Sequence, residues 1–131
     1  MRLLLDTHIF LWTLTKSDAL SAEGWRLIED ESNALAVSAV SIWEIAIKYA
    51  RQRGSPNDMP MSGGDALDQI RAANLDLLPV NGDHAAAVDA LPLFHRDPFD
   101  RLLVAQAKSE SMHLLTHDKQ LAAYGDFVIV V

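Results

Sequence analysis

Five acidic residues occupy positions from which they can act together: Asp6, Glu44, Asp97, Asp100 and Asp118. Asp6 ends the apolar run Leu3-Leu4-Leu5, Glu44 follows a second apolar run at 34–37, and Asp118 comes three residues after Leu115. Asp97 and Asp100 are three apart at the head of a helical segment, so they face roughly the same side. Carboxylates gathered in one pocket repel and raise one another's pKa unless a cation lies between them, which makes such a cluster attractive to hard divalent ions. Oxygen ligands without cysteine favour Mg²⁺ or Mn²⁺ over Zn²⁺. A metal held this way activates water and neutralises a leaving oxygen, which suits phosphodiester hydrolysis and needs no nucleophilic side chain.

Each acid also has a plainer reading as a helix cap. Ser41 with Glu44 spells a capping box, Ser-x-x-Glu. Asp97-Pro98-Phe99-Asp100 is a good helix start, with aspartate at the N-cap and proline at the first helical position. Asp118 before Lys119 reads as another N-cap. Asp6 fits capping least, because it interrupts a buried apolar strand where an uncompensated charge is expensive. Thr7 or a turn amide would compensate it, and so would a shared metal.

The elements that must carry these acids alternate. Strands are expected at 2–5, 34–37, 75–80, 113–115 and 127–131, with Asp76 weakening the third. Helices are expected at 9–14, 21–30 with Ser21 as N-cap, 41–53, 65–73, 83–90, 97–110 and 119–123, with a loop at 54–64 rich in glycine, proline and serine. Short apolar strands alternating with helices, without hairpin signals, predict an α/β fold with a mostly parallel sheet covered on both faces. In such folds the active site gathers beyond the carboxyl ends of the strands, where these acids fall.

With 131 residues, half of them hydrophobic, the chain can bury one core, and a single domain over 1–131 is expected. The absence of cysteine excludes disulfides, thiolate zinc sites and a cysteine nucleophile. The opening MRLLLD stops its apolar run after three residues, too short for an export signal, and no uncharged run approaches the ~20 residues of a membrane span. A cytoplasmic protein without membrane association is therefore expected. The net charge of −7 argues against a surface that attracts polyanions everywhere, but two divalent cations would bring it to −3 and reverse the sign of the pocket.

The segments LLLDTH at 3–8, SAVSIWEIAIK at 38–48, HRDPFDRLLVAQA at 95–107 and LLTHD at 114–118 resemble, in the same order, the PIN-domain ribonucleases of the VapC toxin type. The resemblance covers nearly the whole chain. It implies a three-layer α/β/α sandwich and an acidic pocket of Asp6, Glu44, Asp100 and Asp118 holding one or two Mg²⁺ or Mn²⁺ ions. Asp6 and Asp100 would ligate directly, and Glu44 and Asp118 would complete the site or hold waters. Asp97, from a DPFD variant of the third motif, would be accessory, and Thr116 would position water or substrate. The resemblance also implies hydrolysis of RNA, a homodimer, and a cognate antitoxin that inserts near the pocket.

Basic residues available to RNA or an antitoxin carboxylate are Lys48, Arg51 and Arg53 on one helix, and Arg96 and Arg101 beside the acids. The first three also suit the end of a helix dipole. His8 and His95 read better as hydrogen-bonding or channel residues than as general bases, since metal-bound water needs none. Trp12, Trp25, Trp43 and Phe94 are core or dimer-surface candidates, and Trp12 and Trp43 are also candidates to receive an antitoxin. A phosphoacceptor receiver would need a pair of acids after the first strand and an aspartate after the third, where residues 78–81 supply none. An aspartate-nucleophile phosphatase would need a second acid at position 8, which is His8. A non-catalytic RNA- or protein-binding module is the remaining alternative.

Overall fold

The computed structural model describes residues 1–51, 54–56 and 58–131. Five strands, β1 (Arg2–Leu5), β2 (Ala34–Ser38), β3 (Asp76–Leu78), β4 (His113–Thr116) and β5 (Val128–Val130), form one sheet in the order β3-β2-β1-β4-β5. Every neighbouring pair is parallel. The helices are α1 (Thr7–Thr15), α2 (Ala22–Glu29), α3 (Ala39–Tyr49), α4 (Gly63–Ala72), α5 (Gly82–Ala87) and α6 (Pro98–Ser109), with 3-10 turns at Val88–Ala90 and Lys119–Tyr124.

The central strand shows why the sheet is covered on both faces. Side chains alternate across a strand, so Leu3 and Leu5 enter a core with Ile9, Phe10, Leu27, Ile45 and Ile70. Leu4 enters a second core with Leu103, Val104, Leu114 and Leu121. All three leucines are fully buried, so an unbroken apolar run is the sequence such a strand requires. From β1 the chain proceeds to β2 on one side, while β4 lies on the other, so the crevice beyond the β1 and β4 ends is a topological switch point. Among the described residues no helix is long and apolar enough to cross a membrane.

Several boundaries differ from expectation for local reasons. The third helix starts at Ala39, because the Ser38 side chain accepts from the Val40 amide and ends β2 by capping. The Ser41–Glu44 capping box therefore does not form; Ser41 and Glu44 lie buried inside the helix. That helix closes at Tyr49, so Arg51 sits in the turn beyond it and Arg53 lies outside the described residues. Ser62, rather than a residue near Asp65, caps α4. The third strand is only three residues long, and Leu77 is partly exposed at the sheet edge.

Candidate active site

Three of the acids reach the pocket as N-caps, including the one that fits capping least from its sequence. Asp6 accepts from the Ile9 amide at 2.8 Å and starts α1. Asp97 starts α6, accepting from Phe99 and Asp100 amides at 2.8 and 3.3 Å. Asp118 opens the last 3-10 turn by accepting from Gln120 at 2.9 Å. A cap uses one carboxylate oxygen and leaves the other free to face elsewhere. The second oxygen of Asp6 accepts from the Thr116 hydroxyl, which also accepts from the Asp118 amide at 3.0 Å. Thr116 thus ties the end of β4 to the end of β1.

Glu44 is reached from two sides. The Thr7 hydroxyl donates to Glu44 Oε1 at 2.7 Å and lies 3.0 Å from Ser41 Oγ, and Lys48 Nζ donates to Oε2 at 2.5 Å. The i,i+4 spacing of Glu44 and Lys48 places the pair on one helix face. Asp100, one turn into α6, forms a tight group with His95 and Asp118, whose potential ligand atoms lie within 4.8 Å of one another. The oxygens of Asp6 and Glu44 are not in that group, but both act electrostatically on Asp100.

The electrostatics follow from this crowding. Burial, with the charges of Asp97, Asp6 and Glu44, pushes the Asp100 carboxyl up to about 7 against a pull from His95. Burial also raises Asp6, opposed by the Ile9 amide, Thr116, His117 and His8. At the more open Asp118 burial acts upward too, but hydrogen bonds from Gln120 and His95 outweigh it and the carboxyl is held below its usual range. A pocket in which one carboxyl resists ionisation beside other acids, lined mostly by oxygen donors, fits a hard divalent cation.

The hydrogen-bond network assigns His95 a role. Its Nδ1 accepts from the Asp97 amide at 3.1 Å, so Nε2 carries the proton and donates to Asp118 Oδ2 at 2.8 Å. Nε2 lies 3.7 Å from Asp100. With both nitrogens engaged, His95 orients Asp118 and is neither a free base nor a ready ligand. Arg101 reaches backward to the carbonyls of Pro92, Val88 and Leu91 and to the Tyr124 hydroxyl, so its guanidinium fastens a loop. Arg96 and Arg51 are exposed. Trp43 and Phe94 are exposed as well, Trp43 packing edge-on against Phe99, while Trp25 joins the first core.

His117 is the site residue that sequence reasoning passes over. His117 sits in the bend just after β4, between Thr116 and Asp118, with its ring against α1. There its ring lies 4.7 Å from that of Trp12 and 5.2 Å from that of His8.

The PIN domain family model matches residues 3–126, with all of these acids inside the match. The chain belongs to the PIN-domain family. A curated relative, ribonuclease VapC22 of Mycobacterium tuberculosis, is 32% identical over 122 residues, 92% of this chain and 90% of that protein, which places the chain with the VapC type. Among solved structures, VapBC2 of Rickettsia felis has a TM-score of 0.68 at 16% identity, covering 100% of this chain and 98% of that one. VapBC-5 of Mycobacterium tuberculosis has a TM-score of 0.64 at 22% identity, covering 99% and 97%. These two likenesses carry the fold, and the three-layer PIN arrangement is the one described above.

Proposed function

We propose that this PIN domain is the toxin of a toxin–antitoxin pair and a divalent-metal-dependent endoribonuclease. The observation that carries the reading is the convergence at the carboxyl ends of β1 and β4 of a buried Asp6, tied to Thr116, with the close group of Asp100, Asp118 and His95. The name of the VapC22 relative supports the ribonuclease activity, and the toxin–antitoxin complexes among the fold neighbours support a protein partner.

A divalent cation such as Mg²⁺ or Mn²⁺, if bound in this pocket, would supply Lewis-acid chemistry suited to phosphodiester hydrolysis. Asp6 and Asp100 would hold the ion, and Glu44 and Asp118 would complete the site or hold its waters. Thr116 and His95 fix the orientations of Asp6 and Asp118. Thr7 and Lys48 hold Glu44 from opposite sides. Asp97 is accessory, holding the start of α6 and, by its charge, opposing ionisation of Asp100. Among the described candidates Arg51 and Arg96 are exposed and available to RNA phosphates, Lys48 is paired with Glu44, and Arg101 is committed to its loop. A homodimer, with the exposed Trp43 and Phe94 as candidate surface, belongs to the same reading.

The test is cleavage of a total-RNA pool by the purified protein with Mg²⁺, Mn²⁺ or EDTA. Discrete fragments are expected with metal, and none with EDTA or in Asp6→Asn and Asp100→Asn variants that retain the native circular dichroism spectrum. Full activity in both variants would sink the reading. Absence of cutting under every condition would favour a non-catalytic binder.

A further inference from the structure

A cleft of about 720 Å³ opens beside the acid pocket, between α1 and the segment carrying Pro56 and Pro60. Its wall on the α1 side holds the rings of His8, Trp12 and His117, with centroids 4.7 to 6.0 Å apart and planes tilted by 54° to 71°. The two imidazoles are exposed, so core packing does not account for them. Asp58, which also lines the cleft, is engaged by the amides of Gly54 and Ser55. Lys48, bound to Glu44, stands where the cleft meets the acids.

The strand ends that place the acids also place these rings. His8 follows Asp6 by two residues, and His117 lies between Thr116 and Asp118. Both imidazoles act electrostatically on Asp6, and His117 also on Asp118, so a ligand resting on the rings has its next portion near the carboxylates. We propose that the His8–Trp12–His117 cluster is a stacking subsite for an unpaired nucleobase of single-stranded RNA, positioning the adjacent phosphate at the acid pocket. The inference rests on the nuclease reading for the direction of the strand but not for the existence of the subsite.

Ring spacing determines how a base would sit. Centroids 4.7 to 6.0 Å apart at steep tilts leave no slot between rings, so the base lies on an outward face of His8 or His117. Every base offers a π-face, so the subsite selects unpaired nucleotides over paired ones and is tolerant of sequence. Rings supply this attraction without positive charge, which suits a chain of net charge −7 that must hold a polyanion.

The experiment measures binding of a fluorescein-labelled, cleavage-resistant 2′-O-methyl phosphorothioate octamer of mixed sequence, in Mg²⁺, by anisotropy. The same backbone carrying abasic sites serves as control. Wild type should bind the base-bearing octamer about tenfold or more tightly than the abasic one, and His117→Ala and Trp12→Leu should each abolish that preference. His117 is exposed, so its variant tests the proposal even where Trp12→Leu weakens the fold. In RNA cleavage, His117→Ala should raise KM. Equal binding of both octamers by wild type, or a preference that survives both substitutions, overturns the subsite and gives the cleft to a protein segment. The readouts separate the two readings: cutting without base preference refutes only the subsite, and base preference without cutting refutes only the nuclease.

Discussion

At the scale of single residues, Asp100 and its neighbours tie stability to pH, and under the proposed metal reading to cation binding as well. A carboxyl raised from 3.8 to about 7 binds its proton more tightly in the folded than in the unfolded chain. Its favourable contribution is therefore complete below pH 3.8 and is lost as pH rises toward 7. At about 1.4 kcal/mol per pH unit, the loss is on the order of 4 kcal/mol. Asp6 pushes in the same direction, and Asp118 in the opposite one. In EDTA, Asp100→Asn should gain stability over wild type between pH 4 and pH 7.5, read as a widening difference in Tm. A difference that does not change with pH would contradict the crowding described here. Because protons compete with the cation for the same oxygens, Mg²⁺ should raise the wild-type Tm more at pH 7.5 than at pH 5.

At the scale of elements, the acids do two jobs, and substitutions can divide them. Asn caps a helix as well as Asp does, whereas Ala does not. Asp97→Asn should therefore keep stability within about 0.5 kcal/mol, and Asp97→Ala should lose about 1 kcal/mol in urea unfolding. Equal loss in both would show that the charge, and not the cap, matters to the fold. Ser38→Ala removes the cap of α3 and leaves buried Gln106 Oε1, now 2.5 Å from the Ser38 hydroxyl, without that donor. It should cost roughly 1 to 3 kcal/mol. The same duality decides what was legible in the sequence. Leu3-Leu4-Leu5 announces a strand buried on both faces, and the acids after it announce a carboxyl-edge site. Which serine caps the third helix was not legible, because Ser38 and Ser41 are both plausible caps and only the two-residue reach from Ser38 to Val40 separates them. Nor was the capping by Asp6, since a charge in a strand-end apolar context looks costly until the Ile9 amide is placed beside it. Arg101 looked free because sequence proximity to Asp100 says nothing of a guanidinium that turns away to Pro92 and Tyr124.

At the scale of the whole molecule, a net charge of −7 limits how the RNA of the proposed function could be held. Among the described candidates Arg51 and Arg96 are exposed and Lys48 is paired with Glu44, so at most three phosphate contacts, and few released counterions, are expected on RNA binding. Three phosphate contacts on a single strand imply a slope of log K against log salt of about −2. A slope steeper than about −5, measured by anisotropy across a salt series, would require a basic surface that the described residues do not present. The sheet itself adds a consequence in time. Asp6 and Thr116, whose side chains meet at the heart of the pocket, are 110 residues apart along the chain. At roughly 5 to 20 residues per second, the ribosome needs on the order of ten seconds to make the second after the first. A half-made chain holds Asp6 and Glu44 but neither Asp100 nor Asp118, so it carries no complete acid pocket. Whatever the assembled acids do, they can do it only once Asp118 has been added and β4 has paired with β1.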